Sequence, residues 1–171
     1  MSARRTSPAE VRLRAGESLH IPREARELVV RCGRKSLTLT NLHKVFFPEA
    51  GLTKRDLLQY YADVAPALLP HLSGRAMVMK RFPNGIHGKF FFMKRTPAGA
   101  PPWIECCTIE HASGNVIDFP IANDLPSLLW LVSISSGPEM QMTSCRCRTS
   151  GASDASYSSS FWTRWIIARV S

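Results

Sequence analysis

Two groups of residues in this chain have types and spacings that could do chemistry. The first is Asn41, Lys44 and Lys54. Two ammonium groups and an amide can surround a phosphoryl group. Lys54 also falls in the first turn of an expected helix, where free backbone N–H groups and the positive end of the helix dipole favour an anion. A cation there is electrostatically out of place unless an anion offsets it. Solubilising surface lysines are the competing reading, and spacing alone does not separate the two. The second group interleaves basic and aromatic side chains: Lys80 and Arg81 end one expected strand, Phe90, Phe91 and Phe92 fill the next, and Lys89, Lys94 and Arg95 bracket them. Bases stack on such rings while cations meet phosphates. Alternation along a strand keeps Phe91 from facing the same way as its neighbours. The competing reading puts two of the three rings in a core and leaves the basic residues as solvated strand ends.

Other chemistries lack their residues. Polymerising nucleotides needs clustered carboxylates around divalent metal, and Glu105, Glu110, Asp118, Asp124 and Glu139 include no Asp-x-Asp pair. There is no GxxxxGK[ST] loop, no HExxH and no GxSxG, and the five histidines are scattered. Cysteines at 32, 106, 107, 145 and 147 match no CxxC zinc spacing, so reduced thiols of a cytosolic protein are expected. No catalytic residue and no metal ligand is assigned.

The elements that must position these groups follow from periodicity. Ser36 to Thr40 alternates with period two, a strand with Leu37 and Leu39 facing inward. A connection punctuated by Pro48 and Gly51 leads to the clearest helix, about Lys54 to Leu69. Thr53 is its N-cap, Asp56 completes the cap, and Leu57, Leu58, Tyr61, Val64, Ala65 and Leu68 recur at three-to-four spacing. Pro66 is expected to kink or shorten its end. Arg75–Phe82 and Lys89–Arg95 read as a hairpin turning at Pro83-Asn84-Gly85, and Trp103–Ile109 with Val116–Ile121 as a second. Asp124 then caps a helix beginning near Pro126. This order predicts a mixed α+β fold with mainly antiparallel pairing.

The chain has 171 residues, 44% apolar and 20% charged, which suits one folded domain and excludes a wholly disordered, collagenous or coiled-coil chain. Residues 1–35 hold nine basic and four acidic side chains with little apolar periodicity, although Leu19, Ile21, Leu28, Val29 and Val30 could make a short strand or turn; a mobile basic arm is expected. Residues 36–140 form the domain, and 141–171 a Ser- and Arg-rich tail of different composition. The longest apolar run, Leu128 to Val132, is far short of a membrane span, and no apolar signal core follows the first residues. A net charge of +9 favours a polyanionic partner, nucleic acid before membrane.

Four segments carry a resemblance: Leu37-Thr-Leu-Thr-Asn-Leu-His-Lys-Val-Phe-Phe-Pro48, Gly51-Leu-Thr-Lys-Arg-Asp-Leu-Leu-Gln-Tyr-Tyr-Ala62, Lys80-Arg-Phe-Pro-Asn-Gly85 and Phe91-Phe-Met-Lys94. Over about residues 36–132 the chain resembles the polymerase (primase-like) domain of bacterial ligase D, of the archaeo-eukaryotic primase superfamily. The resemblance implies a mainly antiparallel sheet with flanking helices, here incomplete. It also implies filling and extension of broken DNA ends in non-homologous end joining, with Ku and a ligase module as partners. Divalent metal (Mn or Mg) and NTP are the family's cofactor and substrate, and the implied location is cytoplasmic, at the nucleoid. Residue by residue, Asn41, Lys44 and Lys54 fall where the family grips the 5′-phosphate of the downstream strand at a gap. Phe91 and Phe92 fall where family aromatics meet the template strand, with Lys80, Arg81 and Lys94 beside them.

The family continues with a Glu-x-His segment and an Asp-Leu-Asp-Pro metal motif that are absent here, with Glu139-Met140-Gln141 at most a relic of the first. A slipped reading frame would account for the tail, because codons for Ser158 to Arg164 read one nucleotide over can spell Val-Phe-Val-Leu-Asp-Pro. The expectation is a DNA-end binding part of a ligase D type polymerase, inactive by itself. The alternatives are a separate non-catalytic DNA-binding module, an enzyme completed by a partner's metal ligands, and the inactive remnant of a damaged gene.

Overall fold

The computed structural model describes residues 8–14, 16–82, 88–111, 113–135, 140–147 and 162–163. The fold is a mixed α+β arrangement of small sheets around two helices. Helix α1 (Lys54–Leu72) is specified locally by its cap: the Asp56 N–H donates to Thr53 Oγ1 at 3.4 Å, and the Thr53 N–H donates to Asp56 Oδ2 at 2.9 Å. Its buried side chains include Leu57, Leu58, Tyr61, Ala62 and Ala65, the stripe that three-to-four spacing predicts. The helix does not stop or shorten at Pro66 as expected but runs through Pro66 and Pro70. Both prolines are exposed and four residues apart on one face, where water can take the carbonyls that lose their partners.

The first three strands form one sheet. β1 (Ala9–Leu13) pairs in parallel with β2 (Leu28–Cys32), which pairs antiparallel with β3 (Lys35–Leu39). A two-residue loop joins β2 to β3, and Gly33 takes a φ of 56° there, a conformation that a side chain disfavours. Residues 8–35 are therefore not a mobile arm. Gln59 of α1 accepts from the Ile21 N–H and donates to the Leu19 carbonyl, each at 2.8 Å, and Arg55 donates twice to the Ile21 carbonyl at 2.9 and 2.7 Å. Leu19, Ile21, Leu28 and Val30 are buried. Four buried apolar side chains, with the Leu19 and Ile21 backbone satisfied by α1 and that of Leu28 and Val30 by the sheet, offset an ordering cost that charged side chains alone would not.

β4 (Val45–Phe47) and β5 (Leu52–Thr53) make a small antiparallel hairpin out of the expected connection. The central sheet joins β6 (Arg75–Arg81) to β7 (Phe91–Met93), both antiparallel, as the basic-aromatic hairpin predicts; its turn at 83–85 lies outside the described residues. β8 (Cys106–Glu110) and β9 (Val116–Pro120) form the second expected hairpin, linked to β6 through an Ala76–Ile121 bridge. Helix α2 (Leu125–Ser135) starts where Asp124 Oδ1 accepts from the Ser127 N–H at 3.0 Å. β10 (Met140–Arg146) pairs with the other edge of β6, and β11 (Trp162–Thr163) with β10. The change of composition near residue 140 is thus not a boundary of the sheet, because pairing uses backbone groups that serine and arginine share with any residue. The rest of the tail, including most of the segment with the alternative codon reading, lies outside the described residues.

Cys107 and Cys147 are joined by a disulfide, with Cα atoms 5.8 Å apart, which corrects the reduced-thiol expectation for these two. Register decides it: the Cys147 N–H donates to the Gly74 carbonyl at 2.6 Å, carrying the end of β10 to the side of β6 near β8. Forty residues of separation hide that proximity in the sequence.

Candidate nucleic-acid interface

Asn41, Lys44 and Lys54 are brought to one end of α1 by the loop that enters it. Asn41 has a φ of 56°, a left-handed conformation that asparagine tolerates, and its carbonyl accepts from the Lys44 N–H at 3.0 Å. The Lys44 carbonyl in turn accepts from the Lys54 N–H at 2.8 Å, and the Leu42 carbonyl from the Arg55 N–H at 2.9 Å. Together with Asp56 bonded to Thr53 Oγ1, the first three amides of the helix are already used. The free N–H groups expected at this end are therefore absent, and an anion there would be held by side chains and by the helix dipole.

Lys54 is only 8% exposed. Burial, and secondarily the charge of Lys44, hold its pKa down at about 8, well below the ordinary lysine value. Lys44 is exposed, and its ammonium lies 5.8 Å from the centre of the Phe46 ring. Beside it opens a cleft of about 680 Å³ lined by Arg26, Glu27, Asn41, Leu42, His43 and Lys44. The cleft includes Asn41 and Lys44 but not Lys54, and it adds Arg26 and His43, which sequence reasoning did not single out. Nothing in the spacing signals Arg26. It reaches the loop through the Leu42 N–H, which donates to its carbonyl at 3.1 Å.

The aromatic group is laid out by strand register. Lys80 pairs with Phe92, and Arg81 with Phe91, so the two pairs face opposite sides of the sheet. On one side the Lys80 ammonium sits 4.3 Å from the centre of the Phe90 ring and 5.2 Å from that of Phe82, with Phe90 and Phe92 edge to face at 5.7 Å. On the other, the Arg81 guanidinium lies 5.6 Å from the Phe91 ring and 3.6 Å from Met93 Sδ. Phe90, Phe91 and Phe92 are 51%, 46% and 48% exposed, so none of them serves as core. Phe90, outside the pair that the resemblance implies, is the ring that Lys80 meets. Lys94 follows β7 and is half-buried. The expected template-strand set is thus divided, with Lys80 and Phe92 on one face and Arg81 and Phe91 on the other.

Among the described residues no three His, Cys, Asp or Glu side chains gather as a metal ion requires. Glu105 accepts from Asn123 at 2.6 Å, Asp118 from Thr108 at 2.6 Å, and Asp124 from Lys35 at 2.5 Å. These three carboxylates, each bonded to a different side chain, do not fit the divalent metal of a polymerase centre. No helix among the described residues is long and apolar enough to cross a membrane.

The chain is 42% identical over 95 residues to the multifunctional non-homologous end joining protein LigD of Mycobacterium bovis, covering 56% of this chain and 12% of that protein. It is 35% identical over 95 residues to the bifunctional non-homologous end joining protein LigD of Bacillus subtilis, covering 56% of this chain and 15% of that one. It therefore spans only a small part of these relatives. Among solved structures, the polymerase domain of Mycobacterium tuberculosis ligase D in complex with DNA superposes with a TM-score of 0.61 at 37% identity, over 64% of this chain and 38% of that domain. The mixed α+β architecture is accordingly that of a primase-like polymerase domain. The family model of the LigD primase-polymerase domain matches residues 53–155, reaching past the residue-140 border expected from composition, and with more than half of its length so matched the chain belongs to that family.

Proposed function

We propose that this chain supplies DNA-end recognition for a LigD-type polymerase in non-homologous end joining, gripping the 5′-phosphate of a recessed strand at a gap. Asn41, Lys44 and Lys54 take the terminal phosphate. Lys80, Phe92 and Phe90 provide a stacking face for the template strand, while Arg81 and Phe91 offer a second cation and ring on the opposite face of the hairpin, with Lys94 at the end of its strand. One observation carries the reading: a buried lysine at the positive end of a helix is bonded through its N–H to the carbonyl of a second lysine, and burial beside that lysine lowers its pKa. Three like-signed features converge there, and an anion of two charges relieves all of them. The relative bound to DNA in its solved structure supports DNA as the polyanion. Ku, a ligase module and a cytoplasmic setting belong to the same proposal. Nucleotide transfer by this chain alone does not, since Glu105, Asp118 and Asp124 are each bonded to a different side chain and no cluster of metal-binding side chains forms among the described residues.

Fluorescence anisotropy on gapped DNA with and without a 5′-phosphate tests it. The phosphorylated form is expected to bind about a hundredfold more tightly, and Lys44→Ala to erase most of that difference. Equal affinity for both forms by the unmodified chain would remove the phosphate site.

A further inference from the structure

We propose that Arg26 is a second phosphate-binding residue of the same cleft, holding the phosphodiester next to the terminal phosphate. The ligand is then a 5′-phosphorylated DNA strand read over at least two nucleotides, not an isolated phosphoryl group. This rests on the reading of Asn41, Lys44 and Lys54 given above.

Three observations carry it. The Arg26 carbonyl accepts from the Leu42 N–H at 3.1 Å, so residue 26 is fixed against the loop that presents Asn41 and Lys44. Arg26 lines the cleft with them, and at about 680 Å³ that cleft has the size of a site for a small organic ligand, far more than one phosphoryl group fills. Among the described residues, moreover, no side-chain hydrogen bond or ion pair engages the Arg26 guanidinium, whereas Arg12, Arg31 and Arg55 are each held by a carboxylate. Arg26 and Lys44 set two cations against one carboxylate, Glu27, in the lining. Their chemistry divides the work. A planar guanidinium takes two oxygens of a phosphodiester at once, while an ammonium acts as a point charge suited to the terminal group.

Arg26→Ala is a clean probe, because the bond that positions the loop comes from the backbone of residue 26 and survives any side-chain change; a far-ultraviolet circular dichroism spectrum checks this. Gapped DNA with and without a 5′-phosphate is titrated against the unmodified chain, Arg26→Ala, Arg26→Lys and Lys44→Ala at several salt concentrations. Arg26→Ala is expected to weaken both DNAs by about five- to tenfold and to lower the salt slope by about 1, leaving their ratio unchanged. Arg26→Lys should restore the salt slope and only part of the affinity. Unchanged affinity and slope in a folded Arg26→Ala chain overturn the proposal, as does a loss confined to the phosphorylated DNA. If instead Lys44→Ala leaves the phosphorylated-to-hydroxyl ratio unchanged while Arg26→Ala still weakens both, the terminal-phosphate reading fails and the Arg26 contact stands.

Discussion

The end of α1 and the face of the β6–β7 hairpin are both basic and both exposed to a prospective strand, yet they are built on opposite principles. At the helix end the backbone is fully engaged: the amides of Lys54, Arg55 and Asp56 are bonded to Lys44, Leu42 and Thr53, and the key ammonium is buried. On the hairpin, three rings stand about half exposed, and the cations rest on the rings. A buried charge beside a like charge is costly and selective, since it rewards one anion in one place. An open aromatic face tolerates any base, because every base offers a flat surface. On the proposed function, one region identifies the chemical end of a strand and the other holds a strand of any sequence.

The sharpest break between the two comes from Lys54→Met combined with Lys44→Ala. Preference for a 5′-phosphate is expected to fall by about a hundredfold, while affinity for DNA with a 5′-hydroxyl changes little, as paired anisotropy titrations would reveal. The chain should not be destabilised at neutral pH, because a desolvated cation has been replaced by an apolar side chain of similar length. Next in size, Phe90→Ala should cost about tenfold in affinity for substrates with a single-stranded template, equally with and without the phosphate. A loss that depended on the phosphate would merge the two regions into one site.

Acidity sharpens the contrast further. Lys54 is protonated below about 8, and a phosphate monoester gains its second charge above about 6, so the 5′-phosphate preference should peak between these values and fall severalfold by about pH 9. Binding to the hairpin face should show no such step. In the free chain the linkage runs the other way. The folded pKa of Lys54 lies below that of an unfolded lysine, so the unfolded state holds more protons between about 8 and 10.5, and the contribution of Lys54 to stability improves as pH rises through that window. Denaturant midpoints at pH 7 and 9 for the unmodified chain and Lys54→Met would isolate it. The smallest effect is expected for Thr53→Ala, which removes the cap and costs about 1 kcal/mol in stability, with a slight loss of phosphate preference through a frayed first turn.

Helix α1, its cap, the β6–β7 hairpin and the Asp124 cap of α2 were legible in the letters, because each is encoded within about twenty residues by period, cap chemistry or alternation. The placement of residues 8–35 was not. Their apolar content is sparse, and only Gln59 and Arg55, far along the chain, make Leu19 and Ile21 a packed segment. Phe91 was legible as facing away from Phe90 and Phe92, whereas the exposure of all three rings followed from how little of the fold covers β7. Arg26 had no local signal at all.

Residue order by itself determined that a lysine would stand in the first turn of a capped helix, and that lysine and phenylalanine would share one face of a hairpin. Only the folded chain decided that the Lys44 loop would close over that turn, taking its amides and bringing a second ammonium to bear on a buried first. It likewise decided that β10 would carry Cys147 to Cys107. The physical reason is range: caps and periodicities act through neighbours a few residues apart, while burial and charge crowding depend on which distant segments compete successfully for the same apolar surface.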